Sequence, residues 1–133
     1  METVNWYMLN DLLSPIGGTG DVDEECLKYQ NLDSNDEGQV KKVIMERIYP
    51  YYYGSSASYQ KSVRISLSYF LTTNRLNYGR LFDSCLIAFD HPVDSRDFFL
   101  WIWECLFPNE NYRMKNVKDY QEIEDLDEPL LYL

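Results

Sequence analysis

Histidine is almost missing from this chain: His91 is the only one among 133 residues. Nucleophilic catalysis needs a base beside its nucleophile. His91 sits in the turn Asp90-His91-Pro92, where a solvated or capping role is expected instead. Cysteine is scarce too. Cys26, Cys85 and Cys105 are odd in number, far apart and free of any CxxC pair. That spacing excludes a disulfide framework and a zinc ribbon, and each is predicted to be a buried free thiol. No window approaches the ~18 uninterrupted apolar residues of a membrane helix, so no membrane contact is expected. The start Met1-Glu2-Thr3-Val4-Asn5 lacks the basic and apolar parts of a signal peptide, and a cytoplasmic location is predicted. The stretch Gly17-Gly18-Thr19-Gly20 is not followed by GK[ST], and acids come directly after it. A flexible turn is therefore expected there, not a phosphate loop.

What the chain does have is acid, gathered at its two ends. Residues 1–37 carry nine Asp or Glu and one Lys, a net of −8. Residues 38–118 carry seven acids and eleven bases, a net of +4. Residues 119–133 carry six acids and no base, a net of −6, which completes the chain total of −10. Two negative blocks around a mildly basic middle point to a positively charged partner. A composition 45% hydrophobic and 16% aromatic, with twelve Tyr, excludes wholesale disorder, because enough apolar area can be buried to offset ordering. The length fits a single domain spanning 1–133.

The predicted fold is mostly all-α: a compact bundle of five to six helices and an extended, less regular acidic segment over 109–133. Apolar spacing predicts a helix over residues 3–13 through Trp6, Leu9 and Leu13. Asp21 with Glu24 makes a capping-box pattern for a second helix carrying Val22, Cys26 and Tyr29 inward. Ser34 and Glu37 repeat that pattern ahead of Val40, Val43, Ile44 and Ile48, a stripe expected to stop before Pro50. Residues 49–54 then form a stiff aromatic connector. Tyr59, Val63, Leu67, Phe70 and Leu71 fit a helix, while Val63, Ile65, Leu67 and Tyr69 also alternate. The alternative is thus an α+β fold with a strand near 62–70. A helix over 76–89 follows. Asp94 is the expected N-cap of the next, with Val93 and Phe98 as a hydrophobic staple. That next helix, near 95–107, is apolar nearly all round and belongs at the centre of the fold. The tail could be extended, in part as a short strand.

Two sets of residues are candidates for binding. The first is the acids Asp21, Asp23, Glu24 and Glu25 near the N-terminus, with Glu122, Glu124, Asp125, Asp127 and Glu128 in the tail. Neither group follows the EF-hand loop, with its Gly at the sixth and Glu at the twelfth position, so no metal is expected, nor any other cofactor. The second is Tyr51, Tyr52 and Tyr53, three successive rings that cannot all face one core. Tyrosine is a strong interface anchor because a rigid ring covers much area at little entropy cost. The bases of the middle, among them Lys41, Lys61, Arg64, Arg75 and Arg96, form no run. Direct nucleic-acid binding is not expected, and pairing with the acidic ends is.

In size, acidity, aromatic richness and lack of a catalytic motif, the chain resembles bacterial toxin-immunity proteins such as those of contact-dependent growth inhibition systems. The resemblance implies a non-catalytic protein that tightly binds and neutralises one cognate toxin. A basic nuclease domain is the natural candidate, since a nuclease must attract phosphates. It carries no residue roles with it. Two other classes stay open: a phage-type nucleic-acid mimic of the anti-restriction or anti-CRISPR kind, against which the net +4 middle counts, and a small enzyme or sensor with an unrecognised site.

Overall fold

The computed structural model describes residues 2–16, 32–84 and 93–132. Within them the regular elements are helices apart from one small sheet, and residues 107–116 and 124–127 are irregular. Strand β1 (Glu2–Asn5) runs without a loop into helix α1 (Trp6–Leu12). The helix predicted from residue 3 therefore begins later. Thr3 and Val4 are β-branched, and Asn5 is extended (φ −142°) because it is the N-cap, its side chain accepting from the Tyr7 N–H at 3.2 Å. Strand β2 (Tyr120–Ile123) lies parallel to β1, in register from Glu2↔Tyr120 to Asn5↔Ile123. The acidic tail thus does contain a strand, and it is tied to the opposite end of the chain.

Helix α2 (Glu37–Val43) is capped by Asp36, whose carboxylate accepts from the Gln39 N–H at 3.2 Å. Ser34, the predicted cap, is buried in the turn before it. The expected stop before Pro50 does not occur. A π-helical turn, Ile44–Ile48, leads straight into α3 (Tyr49–Tyr53). Pro50 falls in the first turn of α3, where its missing N–H costs nothing. The segment read as a connector is thereby helical. Gly54 closes it by donating to the Pro50 carbonyl at 2.9 Å, and a Cβ there would stand 2.8 Å from that same oxygen.

Helix α4 (Ala57–Thr73) starts at Ser56, whose Oγ accepts from the Tyr59 N–H at 3.2 Å, and ends on left-handed Asn74. This rules out the alternative strand near 62–70. Val63, Leu67, Phe70 and Leu71 are buried along one helical stripe, while Ile65 is only partly buried. Helix α5 (Tyr78–Ser84) buries Tyr78 and Leu81. Helix α6 (Ser95–Leu106) starts at Asp94, as predicted, with the carboxylate accepting from the Arg96 N–H at 3.1 Å. Val93 is 90% exposed, so the staple to Phe98 is not made.

Helix α6 packs on α2, on the π turn, on α4 and on α5, which makes it the centre of the fold. It buries Phe98, Phe99, Trp101, Ile102, Trp103 and Leu106. The sheet rests on α4 through β1. Among the described residues, no helix is long and apolar enough to cross a membrane.

Candidate partner-binding surface

Beyond the β1–β2 pairing, the tail is tied to the body by one buried amide. Asn5 is fully buried, and its side chain is used on both sides. Its Oδ1 accepts from the Asp125 N–H at 3.3 Å as well as from Tyr7, while its Nδ2 donates to the Asp125 carbonyl at 2.8 Å and to Glu128 Oε1 at 2.9 Å. Glu128 Oε2 accepts from Ser62 Oγ at 2.8 Å and from the Tyr132 hydroxyl at 2.9 Å. Glu128 is 8% exposed and belongs to the clasp, so it has little surface to offer a partner.

The other tail acids divide. Glu122 pairs with Arg75 at 2.7 Å and accepts from the Tyr69 hydroxyl at 3.1 Å. Asp125 is exposed and uses one oxygen to hold the Asp127 N–H at 3.0 Å. Glu124 and Asp127 are exposed. Among the described residues, no Lys or Arg lies within ion-pair reach of Glu124, Asp125 or Asp127. These three exposed carboxylates are acids of the tail left without a cationic partner among the described residues. The predicted N-terminal acids Asp21, Asp23, Glu24 and Glu25 lie outside the described residues, as do Cys26, Cys85 and His91.

Many bases of the middle are spent internally. Lys61 pairs with Glu2 at 3.4 Å, and Lys41 pairs with Glu104 at 2.7 Å and Glu37 at 3.5 Å. Arg64 grips Glu110 with both guanidinium nitrogens, at 2.8 and 3.2 Å, and holds its carboxyl below the usual range. Arg96 donates to the Leu71 carbonyl at 2.9 Å and to the Tyr112 hydroxyl at 3.2 Å. Cys105, predicted to be buried, is partly exposed and free, because α6 turns that side outward beside Lys41 and Glu104; partial burial still pushes its thiol pKa up.

The three tyrosines of α3 have three environments. Tyr52 is buried at 2% exposure, donates to the Gln60 carbonyl at 2.9 Å and meets Phe107 edge-on. It is a core residue. Tyr53 is 43% exposed and lies 4.6 Å from the ring of exposed Tyr49, forming a surface aromatic pair. Tyr51 is half-buried, and its hydroxyl donates to Asp11 Oδ2 at 2.9 Å. The Tyr59 hydroxyl donates to the same oxygen at 2.7 Å. Burial first, and Asp11 second, raise the Tyr59 hydroxyl far above its ordinary pKa.

These contacts make a cleft of about 390 Å³ that the sequence reading had not singled out. Asp11, Pro50, Tyr51 and Tyr59 line it together with Pro129 and Tyr132 from the end of the tail. The tyrosine helix and the acidic tail, two separate candidates in sequence, therefore meet at one place. Asp11 carried a signal that could have been noticed: it sits in the last turn of α1, where the helix dipole disfavours an acid. No protein-family model, curated protein or solved structure matches this chain.

Proposed function

We propose that the protein is a non-catalytic acidic binding protein acting in the bacterial cytoplasm as an immunity protein. In this reading it neutralises one cognate basic toxin, a nuclease domain. The observation that carries it is the set Glu124, Asp125 and Asp127: exposed carboxylates without cationic partners among the described residues, on a segment held in place by the Asn5–Glu128 clasp. Unpaired charge on an ordered surface costs little in water and gains when a cation covers it. It speeds encounter with an oppositely charged protein, after which aromatic anchors such as Tyr53 set the dissociation rate. A nucleic-acid mimic would need a long, continuous array of carboxylates. Here Glu2, Glu37, Glu104, Glu110 and Glu122 are each neutralised by the chain's own Lys or Arg, which interrupts such an array.

The test is co-purification from the native host, read by mass spectrometry, followed by a growth assay with the captured protein. One basic nuclease that co-purifies at fixed stoichiometry, and whose toxicity is blocked by this protein alone, is the expected result. Capture of several unrelated nucleic-acid-binding proteins, each displaced by DNA, would overturn it in favour of a mimic.

A further inference from the structure

Asp11 combines two unusual features. It is an anion in the last turn of a helix, the unfavourable end for it, and no Lys or Arg among the described residues neutralises it. Two hydroxyls hold it instead, and both go to Oδ2. No described residue donates to Oδ1. The chain has thus placed a carboxylate against its local preference and fixed one oxygen, with no donor to the other among the described residues. Breaks in local consistency of this kind are expected at functional sites.

Tyrosines make up part of the wall around it. Tyr51 meets Tyr59 at 6.0 Å and 88°, and Tyr59 meets Tyr132 at 6.2 Å and 78°. Tyr59 itself is buried, so what a cation would meet is the Asp11 carboxylate flanked by the partly exposed rings of Tyr51 and Tyr132, and a ring and an anion attract the same ligand. Among cations, a guanidinium fits best. It is planar, stacks on aromatic rings, sheds water more readily than an ammonium and donates through a rigid fork to carboxylate oxygens.

We propose that this cleft receives an arginine side chain of the protein's partner, an inference that rests on the reading of the chain as a binder of a basic protein. The exposed tail acids then steer the partner in, and the Asp11 cleft fixes its register. A phosphate-binding protein is rich in such arginines, so covering one removes part of its own working surface.

The test separates the cleft from the partner. N-acetyl-arginine methylamide is titrated into the full-length protein and followed by NMR, with N-acetyl-citrulline methylamide as the uncharged isostere. The arginine probe should give saturable shifts at Asp11, Tyr59 and Tyr132, and the citrulline probe none. Asp11→Asn, which keeps an oxygen for the two hydroxyls, should weaken the probe about tenfold or more. Tyr132→Leu removes one wall, leaves the carboxylate and should weaken it less. Circular dichroism checks that both variants are folded. With the co-purified toxin, Asp11→Asn should speed dissociation by a similar factor. Absence of saturable shifts in the unaltered protein, or equal shifts in folded Asp11→Asn, overturns the cleft and leaves the immunity reading to its own experiment. Probe binding with unchanged toxin dissociation overturns the assignment of a partner arginine. If the probe binds Asp11 but no cationic protein co-purifies, the partner reading has failed, and the arginine assignment falls with it.

Discussion

Asp11 and Glu128 are two carboxylates treated in opposite ways. Each accepts hydrogen bonds from tyrosine hydroxyls, Asp11 from Tyr51 and Tyr59, Glu128 from Tyr132, and the Tyr59 and Tyr132 rings touch edge-on between them. Glu128 is buried, and both its oxygens are occupied, by Asn5 on one side and by Ser62 and Tyr132 on the other. Asp11 is partly exposed and, among the described residues, has a single oxygen occupied. The chemistry is shared, and what differs is completeness. A buried polar network with every member satisfied fixes a structure. One left open at the surface keeps interaction energy in reserve for a ligand.

Removing each carboxylate should separate the two roles, with the larger stability effect at Glu128. Glu128→Ala leaves one of the two Asn5 Nδ2 hydrogens, together with the Ser62 and Tyr132 hydroxyls, without its acceptor and loosens the tail, at a cost of about 3 kcal/mol. Asp11→Asn should cost under about 1 kcal/mol, because the hydroxyls keep an acceptor and water reaches the site. Urea denaturation of both variants checks the ratio. Equal losses would mean that Asp11 also serves the fold and the comparison has no force.

Alkaline titration sharpens the contrast with a smaller effect. The Tyr59 and Tyr132 hydroxyls are both raised above the ordinary value of 10.0, in each case by burial first and by the bonded carboxylate second. Below pH 10 both the folded and unfolded states hold these protons, so stability does not change. Above it the unfolded chain releases them while the folded protein does not, and stability falls as pH rises, by at most ~1.4 kcal/mol per pH unit for each such group. The part of the tyrosinate absorbance that comes from these two groups should therefore appear late and together with unfolding. In Asp11→Asn, Tyr59 should still ionise above 10, since burial is the larger cause. A drop to the ordinary value would show that the carboxylate, not the buried ring, controls it.

Much of the helical frame could be read from residue spacing, and the two carboxylates show where such reading stops. Val63, Leu67, Phe70 and Leu71 recur on one face of α4, and the Asp94 cap announced α6, because helices are local and their signals lie within a few turns. Strand β1 had no such signal. Thr3 to Leu13 carries a helical period, and Glu2–Asn5 becomes a strand through pairing with residues 120–123, at the far end of the chain. Pro50 misled for a related reason: a π turn upstream changed the helical register, so the proline opens a new helix instead of ending one. Asp11 meets tyrosines 40 and 48 residues away, and Glu128 meets Asn5 across 123 residues. In sequence Glu128 was one acid among six; its burial comes from contacts that no local pattern encodes.

The exposed tail acids form the third term of the comparison: carboxylates that neither hold the fold nor line the cleft. Reversing Glu124 and Asp127 to Lys should change stability by no more than about 0.5 kcal/mol, since neither is ion-paired among the described residues. Their effect should be kinetic. If they steer a cationic partner, association should slow about tenfold at low ionic strength, and its salt dependence should flatten, because screening acts on the same long-range term. Dissociation should hardly change, in contrast with Asp11→Asn, where dissociation moves and association does not. Stopped-flow association at two salt concentrations resolves this. Should reversal at Glu124 and Asp127 speed dissociation as much as Asp11→Asn does, the tail would be part of the docked contact, and the division between steering acids and an anchoring acid would no longer hold.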